Sequence, residues 1–345
     1  MRFSCMVQDT EYGFVDVSCR AREAEMVPPS VGLRSQALKL KFASAETGGR
    51  FVRPSLPLKD MREQVENAFS QSNAVRYAHE EYIGETISLI YSPFYVSDNK
   101  LYDAVLNKVR PKPDFESGLP DIESLPWEEP HWPIQFVPAL CPGCGWDLEG
   151  HKDSLTLLCR NCHSIWAAKG RGLHAMPFKV AVTREKDVYY LPFWRIKANV
   201  SGMILNSYRD LIKAANLAKV PQPGAEKQRF YFWVQAFKAP PQAFLRIAGN
   251  MTLAQPDDPL EDTMPSARFH PVNLPVSEAA ESLTIILANF VKPRREFIPR
   301  LEHMILTSKR YMLVYIPFRE GHHDLSHPRY QVAVNKNMLN LSKNL

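Results

Sequence analysis

The chain has 345 residues, 45% hydrophobic and 23% charged, enough to bury a full core and to divide into more than one domain. Its 42 basic and 37 acidic residues leave a net charge of +5, too mild to argue by itself for a nucleic acid or an anionic membrane as partner. No run approaches the roughly 18 apolar residues that span a bilayer, and the opening MRFSCMVQDTEYG has no long apolar stretch or small-residue cleavage site, so a cytoplasmic protein without a transmembrane segment is expected.

In chain order, Cys5 and Cys19 stand far from the other cysteines and are expected to be free thiols, as a reducing compartment would keep them. The segment LKDMREQVENAFSQ puts Met61, Val65, Ala68 and Phe69 on one helical face behind an Asp60 cap. Residues 1–110 are read as an N-terminal α+β domain. Between 111 and 138 lie seven prolines, six acidic residues and one lysine, the composition of an extended connector over 111–140 that can lie across a surface through Trp127, Trp132 and Phe136. A cysteine-rich module follows at 141–165, and 166–345 is read as a C-terminal α+β domain. Within it, VPQPGAEKQ and QPDDPLEDTMPSARFHPVNLP mark loops. NSYRDLIKAANLAKV and VSEAAESLTIILANFV, the second opening at Ser277, mark helices.

The strand signal repeats. Tyr-x-Pro-Phe occurs at Tyr91–Phe94, Tyr190–Phe193 and Tyr315–Phe318, where the Tyr, Pro and Phe counts predict about 0.06 occurrences by chance. The first and third copies are followed by similar segments, YDAVLNK from Tyr102 and YQVAVNK from Tyr330, which suggests two related β-hairpins. FYFWVQAF around Trp233 reads as a degenerate fourth copy. Proline removes a ladder donor, so these prolines are expected at a sheet edge or bulge, with Phe94 and Phe318 buried as packing rather than as a ligand box. The fold class expected is α+β, with antiparallel hairpins of a repeated type, a few helices and an inserted metal module.

In CPGCGWDLEGHKDSLTLLCRNC, two Cys-x-x-Cys pairs are separated by 14 residues, a spacing that lets two tight turns bring Cys141, Cys144, Cys159 and Cys162 onto one ion. Four soft thiolates in tetrahedral array favour Zn2+; iron is the alternative, because the first pair also looks like half of a rubredoxin site. Gly145 after the first pair allows the backbone to turn back toward a sulfur, and His163 occupies the equivalent place after the second. The 22 residues resemble a four-cysteine zinc ribbon, a module found in transcription factors, polymerase subunits, ribosomal proteins and many uncharacterised bacterial proteins. The resemblance implies the four cysteine ligands and nothing about a particular ribbon's task. Four thiolates close zinc's coordination sphere, so one structural ion and no catalytic metal is expected.

From Lys169 to Lys197 there are seven basic residues (Lys169, Arg171, Lys179, Arg184, Lys186, Arg195, Lys197) against Glu185 and Asp187. With Trp146 and Trp166 they could present a nucleic-acid surface, although alternating charge is also what the wet face of a strand pair looks like. His322, His323, Asp324 and His327 in GHHDLSHP could ligate a metal or move protons, in what reads as a loop between strands. Phosphate-loop, nucleophile-elbow, zinc-protease and dinucleotide motifs are missing. Three functions remain: a non-catalytic intracellular adaptor or assembly protein with a protein partner, which the closed metal site favours; a nucleic-acid-binding protein using the ribbon and its basic flank; and an enzyme with a site built from loops.

Overall fold

The structure, a computed structural model, describes residues 2–8, 11–16, 47–53, 77–82, 91–109, 121–129, 136–151, 154–169, 172–218 and 223–341. Over 2–8, 11–16 and 77–82, and at Glu302 and Leu341, only the backbone is described. The helix expected at 58–71, Cys19, Trp132 and Arg171 lie outside these residues, as does the side chain of Cys5. The fold is α+β, and the chain divides into two compact units. One comprises residues 17–75 and 86–135, the other 1–16, 76–85 and 136–345.

In the smaller unit, strands Phe94–Ser97, Lys100–Asp103 and Lys108–Val109 form an antiparallel meander. Its first turn has Asp98 and Asn99 both at positive φ, the geometry of the tight hairpin turns that asparagine and aspartate tolerate. Part of the Pro-rich stretch forms a strand here as well. Trp127–Glu128 pairs with Phe51–Val52, and the Arg50 guanidinium lies 5.3 Å from the Trp127 ring.

In the larger unit, β1 (Arg2–Gln8), β2 (Glu11–Asp16) and β3 (Tyr77–Tyr82) form one antiparallel sheet in the order β2-β1-β3. A second holds β4 (Thr156–Cys159), β5 (Ser164–Lys169) and β6 (Gly172–Ala175). The main sheet is built on two long strands, β8 (Val188–Val200) and β12 (Leu306–Glu320), antiparallel along their whole length. β9 (Phe232–Gln235) flanks β8. β7 (Phe178–Ala181) runs parallel to β12 and carries β10 (Leu260–Glu261) on its far side. β11 (Arg268–Phe269) runs parallel to β8, and β13 (Asp324–His327) and β14 (Val332–Asn335) extend the end of β12.

Side chains alternate along β8 and β12 into two separate cores. Tyr190, Trp194, Ile196, Leu313 and Tyr315 enter one; Leu191, Phe193, Val314, Ile316 and Phe318 enter the other. Burial on both faces explains why these strands are continuously apolar rather than alternating. Helices α1 (Tyr208–Ala214), α2 (Pro241–Ala254), α3 (Val276–Glu281), α4 (Leu283–Phe290), α5 (Arg294–Phe297) and α6 (Lys336–Leu341) complete the unit.

α1 lies where NSYRDLIKAANLAKV predicted it, and Ser207 with Asp210 forms a reciprocal capping box. Ser277 does not open the next helix. α3 starts after Pro275 without a side-chain cap, and the run breaks at Ser282 before α4. α2 went unread: its polar stripe is only Gln242, Arg246 and Asn250, while Phe244, Leu245, Ile247, Ala248, Gly249, Met251 and Thr252 are all buried. Its side chains replace a missing ladder partner for the edge strand β9. Thr252 Oγ1 accepts from the Trp233 amide and donates to its carbonyl, and the Gln255 side chain does the same for Tyr231.

The duplicated hairpin is corrected by the pairing. YDAVLNK begins on a strand paired directly with Phe94–Ser97, whereas the equivalent YQVAVNK strand pairs with β13 and not with β12. Asn107 sits in a turn at positive φ, while Asn335 accepts from the amides of Asn337 and Met338 at the start of α6. Phe94 is only half-buried and Phe318 is fully buried. The second and third copies are instead each other's ladder partners, Tyr190 opposite Pro317 and Pro192 opposite Tyr315.

Nor is Pro192 at an edge, although Pro317 falls in the gap between the β7 ladder, which ends at Tyr315, and the β13 ladder, which starts at Arg319. Pro192 sits in β8 between two neighbouring strands, where its carbonyl accepts from Ala236 N. The Ala236 carbonyl, which a Pro192 amide would otherwise serve, accepts from Asn273 N and Leu274 N instead. A loop thus supplies the donor that proline lacks.

Candidate metal centre

The two Cys-x-x-Cys turns are built alike. Gly145 and His163, each following the second cysteine of its pair, both have left-handed backbone, with φ of 73° and 50°. Glycine takes that conformation freely. His163 is held in it from outside, since its Nδ1 accepts from Met264 N at 3.1 Å. The first turn is further closed by Gly145 N donating to Cys141 O and Cys141 N donating to Trp146 O, at 2.8 and 2.7 Å.

These turns bring the sulfurs of Cys141, Cys144, Cys159 and Cys162 within 4.8 Å of one another. Cys141 to Cys162 and Cys144 to Cys159 are each 3.5 Å. Zinc–sulfur bonds of about 2.3 Å in a tetrahedron place sulfurs about 3.8 Å apart, so the set fits one four-coordinate ion. Cys141 and Cys159 are buried and packed against Leu148, Leu157, Trp166 and Leu173, while Cys144 and Cys162 are exposed.

Electrostatics point the same way. Burial raises the Cys141 thiol, but the Ser164 hydroxyl, the Gly143 and Cys144 amides and the Cys162 thiol outweigh it and bring it down to about 6. Asn161 and the Trp146 amide, with smaller help from Cys159 and Cys162, lower Cys144 against burial. Cys162 bears the cost: the Ser164 hydroxyl lowers it, yet burial and the Cys159, Cys141 and Cys144 sulfurs push it up to about 12. Four thiolates this close cannot all ionise without a cation among them. The donor set therefore suits a soft divalent ion such as zinc, held by all four cysteines.

Ser164 was not singled out in the sequence. Its Oγ accepts from the Trp166 indole N–H at 2.8 Å and lies 3.0 Å from Cys162 and 3.6 Å from Cys141. With one lone pair occupied by Trp166, its proton is directed to a sulfur, which is how an outer group orients and charges a metal ligand. Trp166, read as a possible base-stacking residue, serves this contact. Trp146 remains exposed.

The second turn is docked on the body of its unit. Arg160 Nη1 donates to Pro265 O at 3.2 Å, Nη2 to Ala267 O at 3.4 Å, and Nε to Glu149 at 3.2 Å, with the guanidinium 5.1 Å from the Phe269 ring. Leu155 N donates to Val272 O, Thr156 hydrogen-bonds the hydroxyl of buried Tyr315, and Ile165 belongs to the main core.

The basic flank is dispersed. Lys169 ends β5, Lys179 pairs with Asp262 at 2.8 Å, and Arg184 and Lys186 stand exposed beside Glu185, which pairs with Arg319. Among the described residues of the flank, only Arg195 and Lys197 share a strand face, and both are half-buried on β8, not on a fully wet strand.

The histidine segment is also divided. His322 and His323 contact each other in the turn at 2.9 Å, while Asp324 and His327 belong to β13. The Asp324 carboxylate accepts from Asn335, and the His327 ring stacks on Tyr330 with centroids 4.1 Å apart. Among the described residues, only the four cysteines form a group of three or more side chains placed to hold a metal. Comparison with known proteins finds no matching family model, curated protein or solved structure.

Proposed function

We propose that the chain is a non-catalytic zinc-binding module of an intracellular assembly, in which one structural zinc ion holds a surface that grips a protein partner. The observation that carries this reading is the convergence of four cysteine sulfurs within 4.8 Å, which leaves a tetrahedral ion no open position for water or substrate. Zinc-ribbon character is supported by the two left-handed turns and the three-stranded sheet behind them. Four free cysteines suit a reducing compartment.

The adaptor role rests on the asymmetry of the two turns. The second is tied inward through Arg160 and His163. The first faces outward, with Trp146 60% and Leu140 51% exposed and Phe136 93% exposed just before them. Exposed aromatic and aliphatic side chains on a rigid turn are what a protein interface uses as anchors.

Affinity capture from nuclease-treated lysate should yield a partner with the wild type that is lost with Trp146→Ala combined with Leu140→Ser, zinc content staying at one per chain. Equal recovery by both proteins would remove this surface from the interface. Recovery that disappears on nuclease treatment alone would replace the adaptor reading with nucleic-acid binding.

A further inference from the structure

One face of the main sheet ends in a group of basic side chains. Arg195 and Lys197 alternate on β8, on the same face as Phe193. Across the ladder, Lys197 is opposite Arg310 on β12, and the register slips there, so that Lys309 and Arg310 together oppose Lys197 and Ser308 follows opposite Ala198. From the β9 side comes Arg229, close enough to Lys197 to depress its pKa; burial depresses it more, and Asp210 opposes both. Five basic side chains from three chain segments therefore share one area.

Their surroundings do not neutralise them. Among the described residues, none of Arg195, Arg229, Lys309 and Arg310 has a carboxylate within ion-pair distance. Lys197 Nζ donates to the carbonyls of Asn206 and Phe230, both at 3.3 Å. The nearby Asp210 carboxylate is already engaged by Asn206 N, Ser207 N and Ser207 Oγ in the α1 cap. Like charges directly opposite on a sheet are unfavourable, and a half-buried guanidinium without an acceptor is costly. Arg195 is positioned nonetheless. Its guanidinium lies 4.8 Å from the Tyr231 ring centroid and 5.9 Å from that of Trp233, which fixes the group and leaves its N–H edges for an acceptor from outside.

We propose that Arg195, Lys197, Arg229, Lys309 and Arg310 form a surface that binds the phosphate backbone of a nucleic acid. Adjacent strands are about 4.8 Å apart and alternate residues along a strand about 6.8 Å, so the cations cover a strip wider than a single phosphate. Successive phosphodiesters present anionic oxygens along such a strip. A bilayer is disfavoured because the Tyr231 and Trp233 rings lie against Arg195, and the exposed Tyr311 beside Arg310 is on the opposite face of β12, where its ring meets Trp194. The surface is independent of the ribbon flank: of the seven basic residues between 169 and 197 it uses two, and adds three from distant segments.

The test is fluorescence anisotropy of the full-length, zinc-loaded chain with labelled single-stranded and duplex oligonucleotides between about 50 and 200 mM salt, where phosphate contacts dominate affinity. Lys309→Gln with Arg310→Gln, both exposed, should weaken binding and lower the slope of log affinity against log salt by about 2, since each lost phosphate contact removes about one. Arg195→Gln should weaken it further, while Lys169→Gln with Lys179→Gln should leave it unchanged. No saturable binding by the wild type at the lowest salt, an unchanged slope in Lys309→Gln/Arg310→Gln, or tighter binding to phosphatidylserine vesicles than to either oligonucleotide would each overturn the proposal. Zinc content is measured alongside, so failure here stays separate from failure of the metal assignment.

Discussion

Replacing Arg160 by methionine keeps an apolar stem and removes the charged fork that ties the second cysteine turn to the loop at 263–272. The two hydrogen bonds to Pro265 and Ala267 are long, 3.2 and 3.4 Å, and their acceptors reach solvent, so together they contribute about 1 kcal/mol, at the low end for charged donors. Contact with the Phe269 ring adds roughly 0.5 to 1 kcal/mol. The pair with Glu149, whose side chain is 61% exposed, adds a few tenths, roughly what exposed ion pairs supply. The sum is about 2 kcal/mol, equivalent to a factor of roughly 30 in a local opening equilibrium. Hydrogen exchange measured on zinc-loaded protein reads this directly. The Leu155 amide, which donates to Val272 across the docking contact, should exchange about 30-fold faster, whereas Leu158, paired with Glu149 inside the module, should change little. Zinc should stay at one per chain. A change below about threefold at Leu155 would refute the docking argument, as would equal acceleration at both amides with loss of metal.

Cys159→Ser should abolish zinc binding and expose 136–175 to proteolysis, because binding energy is folding energy in a site this small; elemental analysis and limited digestion check it, and zinc retained at full occupancy would contradict it. Phe193→Ala and Phe318→Ala should each cost about 3 to 5 kcal/mol in urea denaturation, since both rings are fully buried. Their rings stack at 6.2 Å, so the double variant should cost less than the sum, and strict additivity would show that the two do not share a cavity. His327 titrates below its ordinary value because burial disfavours its charge, against the opposing pull of Asp258 and Glu185. A depressed histidine binds fewer protons folded than unfolded, so its contribution is complete above the ordinary value of 6.5 and is lost as pH falls through its folded pKa. His327→Gln should flatten the stability profile between about pH 7.5 and 5 relative to wild type, and an identical profile would exclude the group.

The metal site was legible because ligation by Cys-x-x-Cys is a local property: a tight turn and two soft donors fix the geometry of each half within four residues. The left-handed backbone at Gly145 was readable for the same reason. At His163 it was not, since that conformation is stabilised by Met264, 101 residues away. Strand content was legible in the aromatic runs, but which strands pair was not. The Tyr-x-Pro-Phe repeats looked like equivalents along the chain, whereas the second and third are partners across a ladder spanning 125 residues, and Pro192 is tolerated centrally because Asn273 and Leu274 supply its missing donor. α2 escaped because its polar stripe is narrow, Gln242, Arg246 and Asn250 alone, beside seven buried positions. The cationic face is likewise a product of pairing: Lys197 and Arg310 meet only once β8 and β12 are laid side by side, and Arg229 joins them from the segment before β9.

The central claim is that four thiolates close around one structural zinc ion, and native mass spectrometry of the protein purified with zinc present, paired with elemental analysis, tests it most directly. The account predicts a single zinc per chain and a colourless protein. Iron at the site, more than one metal, or a metal-free chain with Cys141, Cys144, Cys159 and Cys162 joined as disulfides would contradict it.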